Sequence, residues 1–121
     1  MRSSDFRVGN SILNPYDEIT DVDITILDYI DQCNSVQQKV ERYKYVPITK
    51  ENLRKLGCKQ GYWYISIFNL KAEIHFEFYG KEVVTILRSD FCELILDPLK
   101  YIHEVQNLYK ELSKQELKIT E

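Results

Sequence analysis

Hydrophobic and polar residues alternate along two segments of the chain, and this alternation predicts β-strands. In residues 71–79 the apolar side chains are Ala72, Ile74, Phe76 and Phe78, and the polar ones are Lys71, Glu73, His75 and Glu77. In residues 21–27, Val22, Ile24 and Ile26 alternate with Asp21, Asp23 and Thr25. Because successive strand residues point to opposite faces, we expect each segment to bury its apolar face and to leave its polar face in solvent.

The segments around 71–79 predict an antiparallel meander. Residues 61–68 place Trp63, Ile65 and Ile67 on one face, and residues 82–88 form a further apolar run. Asn69 marks the turn between the first two strands, and Tyr79-Gly80-Lys81 is typical of a hairpin loop. Residues 91–96 are either a last short strand or the approach to a helix.

The N-terminal part also contains extended patterns. Residues 6–13 predict a first strand interrupted by Gly9-Asn10, and residues 14–18 carry the turn formers Asn14, Pro15 and Asp17. Residues 41–49 again favour extended backbone, because Pro47 disfavours helix at Val46. Residues 28–40 are compatible with a short helix or with a loop.

Two helices have start or stop signals. Thr49 is a good N-cap for a short helix that ends at Gly57. Asp97 as N-cap, with Pro98 at the first helical position, predicts a second helix over residues 98–112. We expect its apolar stripe to lie across the sheet; the stripe consists of Leu99, Ile102, Val105, Leu108, Tyr109 and Leu112. The predicted fold class is α+β: a small antiparallel sheet of four to six strands packed by a C-terminal helix and one short central helix.

Length and composition favour one ordinary globular domain over residues 1–121. The chain has 121 residues, 44% hydrophobic and 29% charged, which is typical of a folded domain. Cys33, Cys58 and Cys92 are widely spaced and form no zinc-ligand pattern, so we expect reduced thiols, no metal and no cofactor. Neither a secretory signal nor an apolar run of membrane-spanning length is present in the sequence, and we expect a cytoplasmic protein that does not enter membranes.

The charges are distributed unevenly, although the net charge is only −3. Between Arg7 and Lys39 there is no basic residue and there are six acidic ones. Such a segment is able to occupy a basic groove on a protein partner, and it is equally compatible with a solvated edge strand. The candidate partner-binding residues are these acids and two neighbouring tyrosines: Tyr16, Asp17, Glu18, Asp21, Asp23, Asp28, Tyr29 and Asp31.

Residues 39–59 reverse the sign, with seven basic residues against two acidic ones. Alternating cationic and aromatic side chains are one way to hold a single-stranded nucleic acid. The alternative nucleic-acid-binding residues are therefore Arg42, Tyr43, Lys44, Tyr45, Lys50, Arg54 and Lys55. A sequence pI near 5.4 makes direct nucleic-acid binding the weaker hypothesis.

No pattern in the sequence indicates catalysis. His103, Gln106 and Asn107 lie beside the apolar stripe of the C-terminal helix, where hydrogen bonding to neighbouring backbone explains them better than chemistry does. A catalytic histidine needs a nucleophile or an orienting carboxylate, and no motif supplies one. We therefore expect a protein that is not an enzyme.

Three stretches of the sequence resemble a family of small uncharacterised proteins carried by phages and prophages. The first is Arg7-x-Gly9-Asn10, and the second is the Pro47-Ile48 segment leading into a short helix that stops at Gly57. The third is the C-terminal helix with His103, Gln106, Asn107, Leu108, Tyr109, Leu112, Glu116 and Leu117. The chain departs from this family at Ser113-Lys114, where a Thr-Gly-like turn is usual, and in a longer acidic insertion over 14–38.

The resemblance implies a phage accessory protein that acts in the bacterial host cell. The His-x-x-Gln-Asn trio belongs to the part shared with the family, which implies a scaffold role. The chain is also similar overall to an anti-CRISPR inhibitor of an RNA-guided, type VI-B nuclease, so the resemblance implies inhibition of a host defence protein with nucleic acid involved only indirectly. A phage nucleic-acid-binding module and a phage structural or assembly protein are the alternatives.

Overall fold

The computed structural model describes residues 1–61, 64–68, 72–90 and 92–119. The chain forms two compact units, residues 1–46 and residues 47–121. No helix within the described ranges is long and apolar enough to cross a bilayer. The expectation of a single domain stays a prediction.

The first unit contains a short sheet and one long helix. Strands β1 (Ser11–Leu13) and β2 (Ile19–Asp21) pair antiparallel and are followed by helix α1 (Ile24–Ser35). The predicted turn between the strands is confirmed, since Asn14 Oδ1 accepts hydrogen bonds from the backbone N–H groups of Tyr16 and Glu18 at 2.9 and 3.0 Å. The strand predicted over 6–13 is confirmed only over β1, because Gly9, with a φ of +95°, interrupts extended backbone before Ser11.

The core of the first unit combines Ile12 of β1, Ile26 and Ile30 of α1, and Phe6 and Val22 from the connecting segments. Tyr45 stacks on Phe6 with ring centroids 5.7 Å apart. Burying aliphatic and aromatic side chains of this size stabilises a fold by about 1.5–3 kcal/mol each before conformational entropy is counted. The core therefore explains how so short a sheet is held against α1.

The strand predicted over residues 21–27 is wrong beyond Asp21. Helix α1 begins at Ile24, and the Asp23 carboxylate caps it by accepting from the Ile26 N–H at 2.9 Å. The buried residues of α1 are Ile26, Ile30 and Cys33. Their spacing of four and three residues is helical and reaches beyond residues 21–27, where apolar and polar residues alternate. Residues 28–35 are therefore helical, and 36–40 lie beyond the helix end.

The second unit is an antiparallel meander with helices before and after it. Helix α2 (Lys50–Lys55) precedes the sheet and α3 (Ile102–Ser113) follows it. The strands are β3 (Lys59–Gln60), β4 (Tyr64–Phe68), β5 (Glu73–Tyr79), β6 (Glu82–Arg88) and β7 (Glu93–Ile95), hydrogen-bonded in that order. The α+β class with a small antiparallel sheet is thus confirmed. Of the two alternatives for residues 91–96, the last short strand is confirmed over Glu93–Ile95. Trp63, Asn69, Lys71 and Phe91 lie outside the described residues.

Local signals account for several boundaries in this unit. Thr49 Oγ1 accepts from the Asn52 N–H at 3.1 Å, and Gly57 has a φ of +95°, so the predicted cap and stop of α2 are confirmed. Gly80, with a φ of +63°, and Lys81 connect the paired residues Tyr79 and Glu82, as the hairpin prediction requires.

The predicted start of the C-terminal helix is wrong by four residues. The helix begins at Ile102 rather than at Pro98, because Tyr101 keeps extended backbone. The Glu104 carboxylate accepts from the N–H groups of Lys100 and Tyr101, both at 3.0 Å, and so fixes the two residues that precede the helix. Of the predicted stripe, Ile102 and Val105 are fully buried, while Leu99 precedes the helix.

Candidate partner-binding surface

The predicted acidic residues all lie in the first unit and all six are exposed. We call this set, together with Tyr16 and Tyr29, the acidic surface. It spans the turn between β1 and β2, the end of β2 and helix α1. Its members are Tyr16, Asp17 and Glu18 in the turn, Asp21 in β2, Asp23 at the helix cap, and Asp28, Tyr29 and Asp31 in α1.

Helix α1 gives the acidic surface its most regular part. Ile26, Ile30 and Cys33 face the core, and residues displaced by about half a turn point the opposite way. That outer side carries Ile24, Asp28 and Asp31, all of which are exposed. Two carboxylates spaced by three residues therefore stand beside an isoleucine that is 68% exposed.

Some of the acids have partners within the unit. Asp17 lies 3.6 Å from the Lys44 ammonium in an exposed ion pair, and exposed pairs contribute only about 0–1 kcal/mol. The Ser3 hydroxyl donates to Asp31, and Asp23 caps α1. Of these three interactions, only the first places a cation beside a carboxylate.

The two tyrosines of the acidic surface differ in their surroundings. Tyr16 is 81% exposed at the tip of the turn. Tyr29 is half-buried, contacts the Tyr43 ring edge-on at a centroid distance of 5.6 Å, and has the Arg42 guanidinium 5.5 Å from its ring centroid. A hydrogen bond with the Cys33 side chain raises the pKa of Tyr29. Tyr16 is thus the tyrosine that is fully presented to solvent.

Sequence patterns did not identify two apolar members of this region. Ile24 was expected on a buried strand face, and Val36 was not singled out, yet both are exposed, at the beginning and just past the end of α1. The helical spacing of Ile26, Ile30 and Cys33 is the signal that places Ile24 on the outer side.

The alternative nucleic-acid-binding residues are divided between the units. Arg42, Tyr43, Lys44 and Tyr45 belong to the first unit, and Lys50, Arg54 and Lys55 belong to α2 of the second. Tyr43 and Tyr45 pack against the core of the first unit, and the Tyr45 hydroxyl donates to Asp5 at 2.7 Å. Their rings therefore have a structural explanation that does not involve base stacking.

Within α2 the basic residues also have local partners. Arg54 donates to the Lys50 carbonyl at 3.3 Å and to the Gln60 side chain at 3.2 Å. Lys55 lies 3.7 Å from the Glu51 carboxylate. Nucleic-acid binding by these residues stays a prediction.

A polar cluster on the second unit's sheet was missed, because His75 was expected on a solvated face. His75 is only 2% exposed. Its Nδ1 lies 3.4 Å from Glu73 and its Nε2 lies 3.2 Å from Glu77, while the Tyr64 ring covers it at a centroid distance of 4.4 Å. Neighbours two residues away along the strand share its face, so the flanking glutamates were the available signal.

The cluster satisfies its own polar groups. Both imidazole nitrogens face a carboxylate oxygen, and an Arg88 guanidinium nitrogen also lies 3.5 Å from Nδ1. The Tyr79 hydroxyl donates to Glu77 at 2.8 Å and lowers the pKa of that carboxyl group, with a further contribution from His75. The arrangement accounts for a buried histidine on this face without invoking a reaction.

The C-terminal trio has a structural role at Gln106. Its side-chain amide donates to the Leu117 carbonyl at 2.9 Å, and the residue is 1% exposed. His103 is buried, and its ring stacks on Tyr101 at 5.9 Å. The interpretation that these residues bond neighbouring backbone is thus confirmed for Gln106.

The cysteines are unpaired with one another, and burial raises the pKa of Cys58 to about 12. In the described part of the chain, no three His, Cys, Asp or Glu side chains come together as a metal site. Comparisons of the chain with protein-family models, curated proteins and solved structures found no match.

Proposed function

We propose that the protein is a non-enzymatic phage or prophage accessory protein that binds a basic host defence protein through the acidic surface. The observation that carries the proposal is the outer side of α1, where Asp28 and Asp31 stand beside the exposed Ile24. A partner that normally holds nucleic-acid phosphates presents lysine and arginine side chains, which are complementary to such a surface.

The proposed partner is an RNA-guided nuclease of type VI-B, so the protein would act as an anti-CRISPR inhibitor in the host cytoplasm. The sequence resemblance to such an inhibitor supports this choice. In this proposal the carboxylates accelerate the encounter, and the exposed side chains of Tyr16 and Ile24 contribute most of the contact energy.

The test is inhibition of RNA cleavage by a guide-loaded type VI-B nuclease. Wild-type protein is expected to inhibit, and a variant with Asp17→Asn, Glu18→Gln, Asp28→Asn and Asp31→Asn is expected to associate about tenfold more slowly at low salt. Asp23 is left unchanged because it caps α1. The salt dependence of association is expected to become weaker in the variant.

The matched control removes four negative charges from the second unit, with Glu51→Gln, Glu82→Gln, Glu111→Gln and Glu116→Gln. These glutamates are exposed, and the control shifts the net charge by the same amount. Equal inhibition by both variants would refute a role for the acidic surface. Absence of inhibition by the wild-type protein would refute the choice of partner.

A further inference from the structure

Strand β7 ends the sheet of the second unit and pairs with β6 on one side; no described strand pairs with its other side. The Leu96 N–H donates to the Thr85 carbonyl and the Ser89 N–H donates to the Cys92 carbonyl, both at 2.9 Å. Hydrogen-bonding pairs alternate along an antiparallel ladder. The backbone N–H and C=O groups of Glu93 and Ile95 therefore point away from β6.

The side chains of β7 are unusually apolar for an exposed edge. Leu94 is 55% exposed and Ile95 is 73% exposed. Edge strands are generally protected by charged residues or by proline, because their free backbone groups are a template for another strand. The opposite edge of the same sheet follows that rule, since β3 consists of Lys59 and Gln60.

We propose that β7 binds an extended segment of a partner protein whose apolar residues are flanked by lysine or arginine. Strand addition of this kind takes its affinity from main-chain hydrogen bonds and its specificity from alternate side chains. Residues 89–97 contain Asp90, Glu93 and Asp97 and no basic residue. One cation reaches this group, as Arg88 Nε lies 2.7 Å from Glu93, so the charge along the edge is negative.

The same charges disfavour a second copy of this chain as the occupant. An antiparallel pairing of two β7 strands centred on Glu93 would place the two Glu93 side chains opposite each other, and one centred on Ile95 would place Glu93 of each copy opposite Asp97 of the other. Like charges on adjacent strands destabilise pairing. A basic segment from a different protein is therefore the occupant that fits. This inference concerns the second unit alone and does not depend on the acidic surface.

The experiment titrates the full chain with a synthetic peptide of alternating Val and Thr that has two lysines at each end. Binding is expected to slow amide exchange at Glu93 and Ile95 by about tenfold or more, since their N–H groups would become hydrogen-bonded. A peptide with glutamates in place of the lysines is expected to bind about tenfold more weakly at low salt.

Two variants distinguish strand addition at β7 from nonspecific hydrophobic binding of the peptide. Ile95→Lys is expected to weaken binding of the lysine peptide about tenfold, whereas Val36→Lys, which changes an exposed apolar residue of the first unit, is expected to leave it unchanged. Unchanged exchange within β5 and β6 shows that the variants are folded. Equal binding of both peptides, protection elsewhere than β7, or a dimer whose β7 amides are protected without peptide would overturn the proposal.

Discussion

The Gln106 side-chain amide donates to the backbone carbonyl of Leu117 across eleven positions of sequence, at 2.9 Å and out of contact with solvent. The Leu117 side chain is also buried. Helix α3 therefore carries the hydrogen-bond donor that fixes the segment following it. The residue type matters here, because the donor must be long enough to reach beyond its own helix and must remain neutral when buried.

Replacing this donor is expected to destabilise the fold. Gln106→Ala leaves the Leu117 carbonyl without that hydrogen bond in a buried place, and we expect a loss of about 1–3 kcal/mol in the free energy of unfolding. Urea unfolding followed by circular dichroism measures it. Gln115→Ala makes the same chemical change at an exposed position and is expected to alter stability by about 0.5 kcal/mol or less. Equal effects of the two substitutions would contradict the assignment.

The three thiols are expected to differ in reactivity. Cys92 is exposed, whereas Cys33 and Cys58 are buried. Thiolate is the reactive form, and burial raises the pKa of Cys58 to about 12, so this thiol is protonated at neutral pH. A colorimetric thiol reagent added to the native protein is expected to modify Cys92 rapidly and the other two only after denaturant is added. Rapid modification of all three thiols without denaturant would contradict the burial of Cys33 and Cys58.

The Tyr79–Glu77 hydrogen bond is expected to give stability a dependence on acidic pH. The pKa of Glu77 is lowered in the folded protein, chiefly by the Tyr79 hydroxyl. Its contribution to stability is fully present above the ordinary glutamate pKa of about 4.3 and is lost as the pH falls through the lowered folded value. Tyr79→Phe removes the donor, so the pKa of Glu77 is expected to rise.

Carbon-detected NMR titration of the Glu77 carboxyl group measures this shift. The control is Tyr16→Phe, which removes a hydroxyl at an exposed turn of the other unit and is expected to leave the Glu77 titration unchanged. If Tyr79→Phe gave the same titration curve as wild type, the hydrogen bond would not be the main cause of the lowered pKa.

Asp23 is expected to stabilise the fold through its capping hydrogen bond rather than through its negative charge. Asp23→Ala removes the acceptor of the Ile26 N–H and is expected to cost about 0.5–2 kcal/mol. Asp23→Asn keeps a side-chain oxygen acceptor, and asparagine is an equally good N-cap, so the cost is expected to be a small part of that. Thermal unfolding of the two variants compares them. A larger loss for Asp23→Asn than for Asp23→Ala would mean that charge, not capping, stabilises α1.

The sequence predicted those parts of the fold that local chemistry determines. The Thr49 cap, the Gly57 stop and the Gly80 loop each depend on residues adjacent in the chain, and all three are confirmed. The antiparallel meander followed from alternation in β5, whose partners on both sides are sequence neighbours. These features need no knowledge of distant contacts.

A predicted element was wrong where the strand period and the helix period both fit the same few apolar residues. Val22, Ile24 and Ile26 alternate, but Ile26 also begins the helical spacing completed by Ile30 and Cys33. Within residues 21–27 the two-residue period of a strand fits the apolar positions. Only a window that includes Ile30 and Cys33 reveals the 3.6-residue period of a helix. The start of α3 was misplaced because residues just before it pair with a distant segment: Tyr101 forms a β-bridge with Pro47, and the Lys100 carbonyl accepts from the Ile48 N–H at 3.1 Å.

The candidate surface was only partly predictable. That charged residues such as Asp28 and Asp31 would be exposed follows from the cost of burying charge. The burial of His75 and the half-burial of Tyr29 depend on neighbours supplied by other elements, Tyr64 in one case and Tyr43 in the other. The ring contacts are set by tertiary packing, and the only local signal was the pair of glutamates that flank His75 on its strand.

The capping bond of Asp23 has a consequence for recognition. One carboxylate oxygen is held by the Ile26 N–H, so the side chain has already given up its rotamer freedom before any partner arrives. Ordering a free glutamate side chain such as an unrestrained Glu18 would cost up to about 2 kcal/mol. An arriving cation would meet the second oxygen of Asp23 in a preorganised position, and the entropy loss on association would be smaller there than at the tip of the turn.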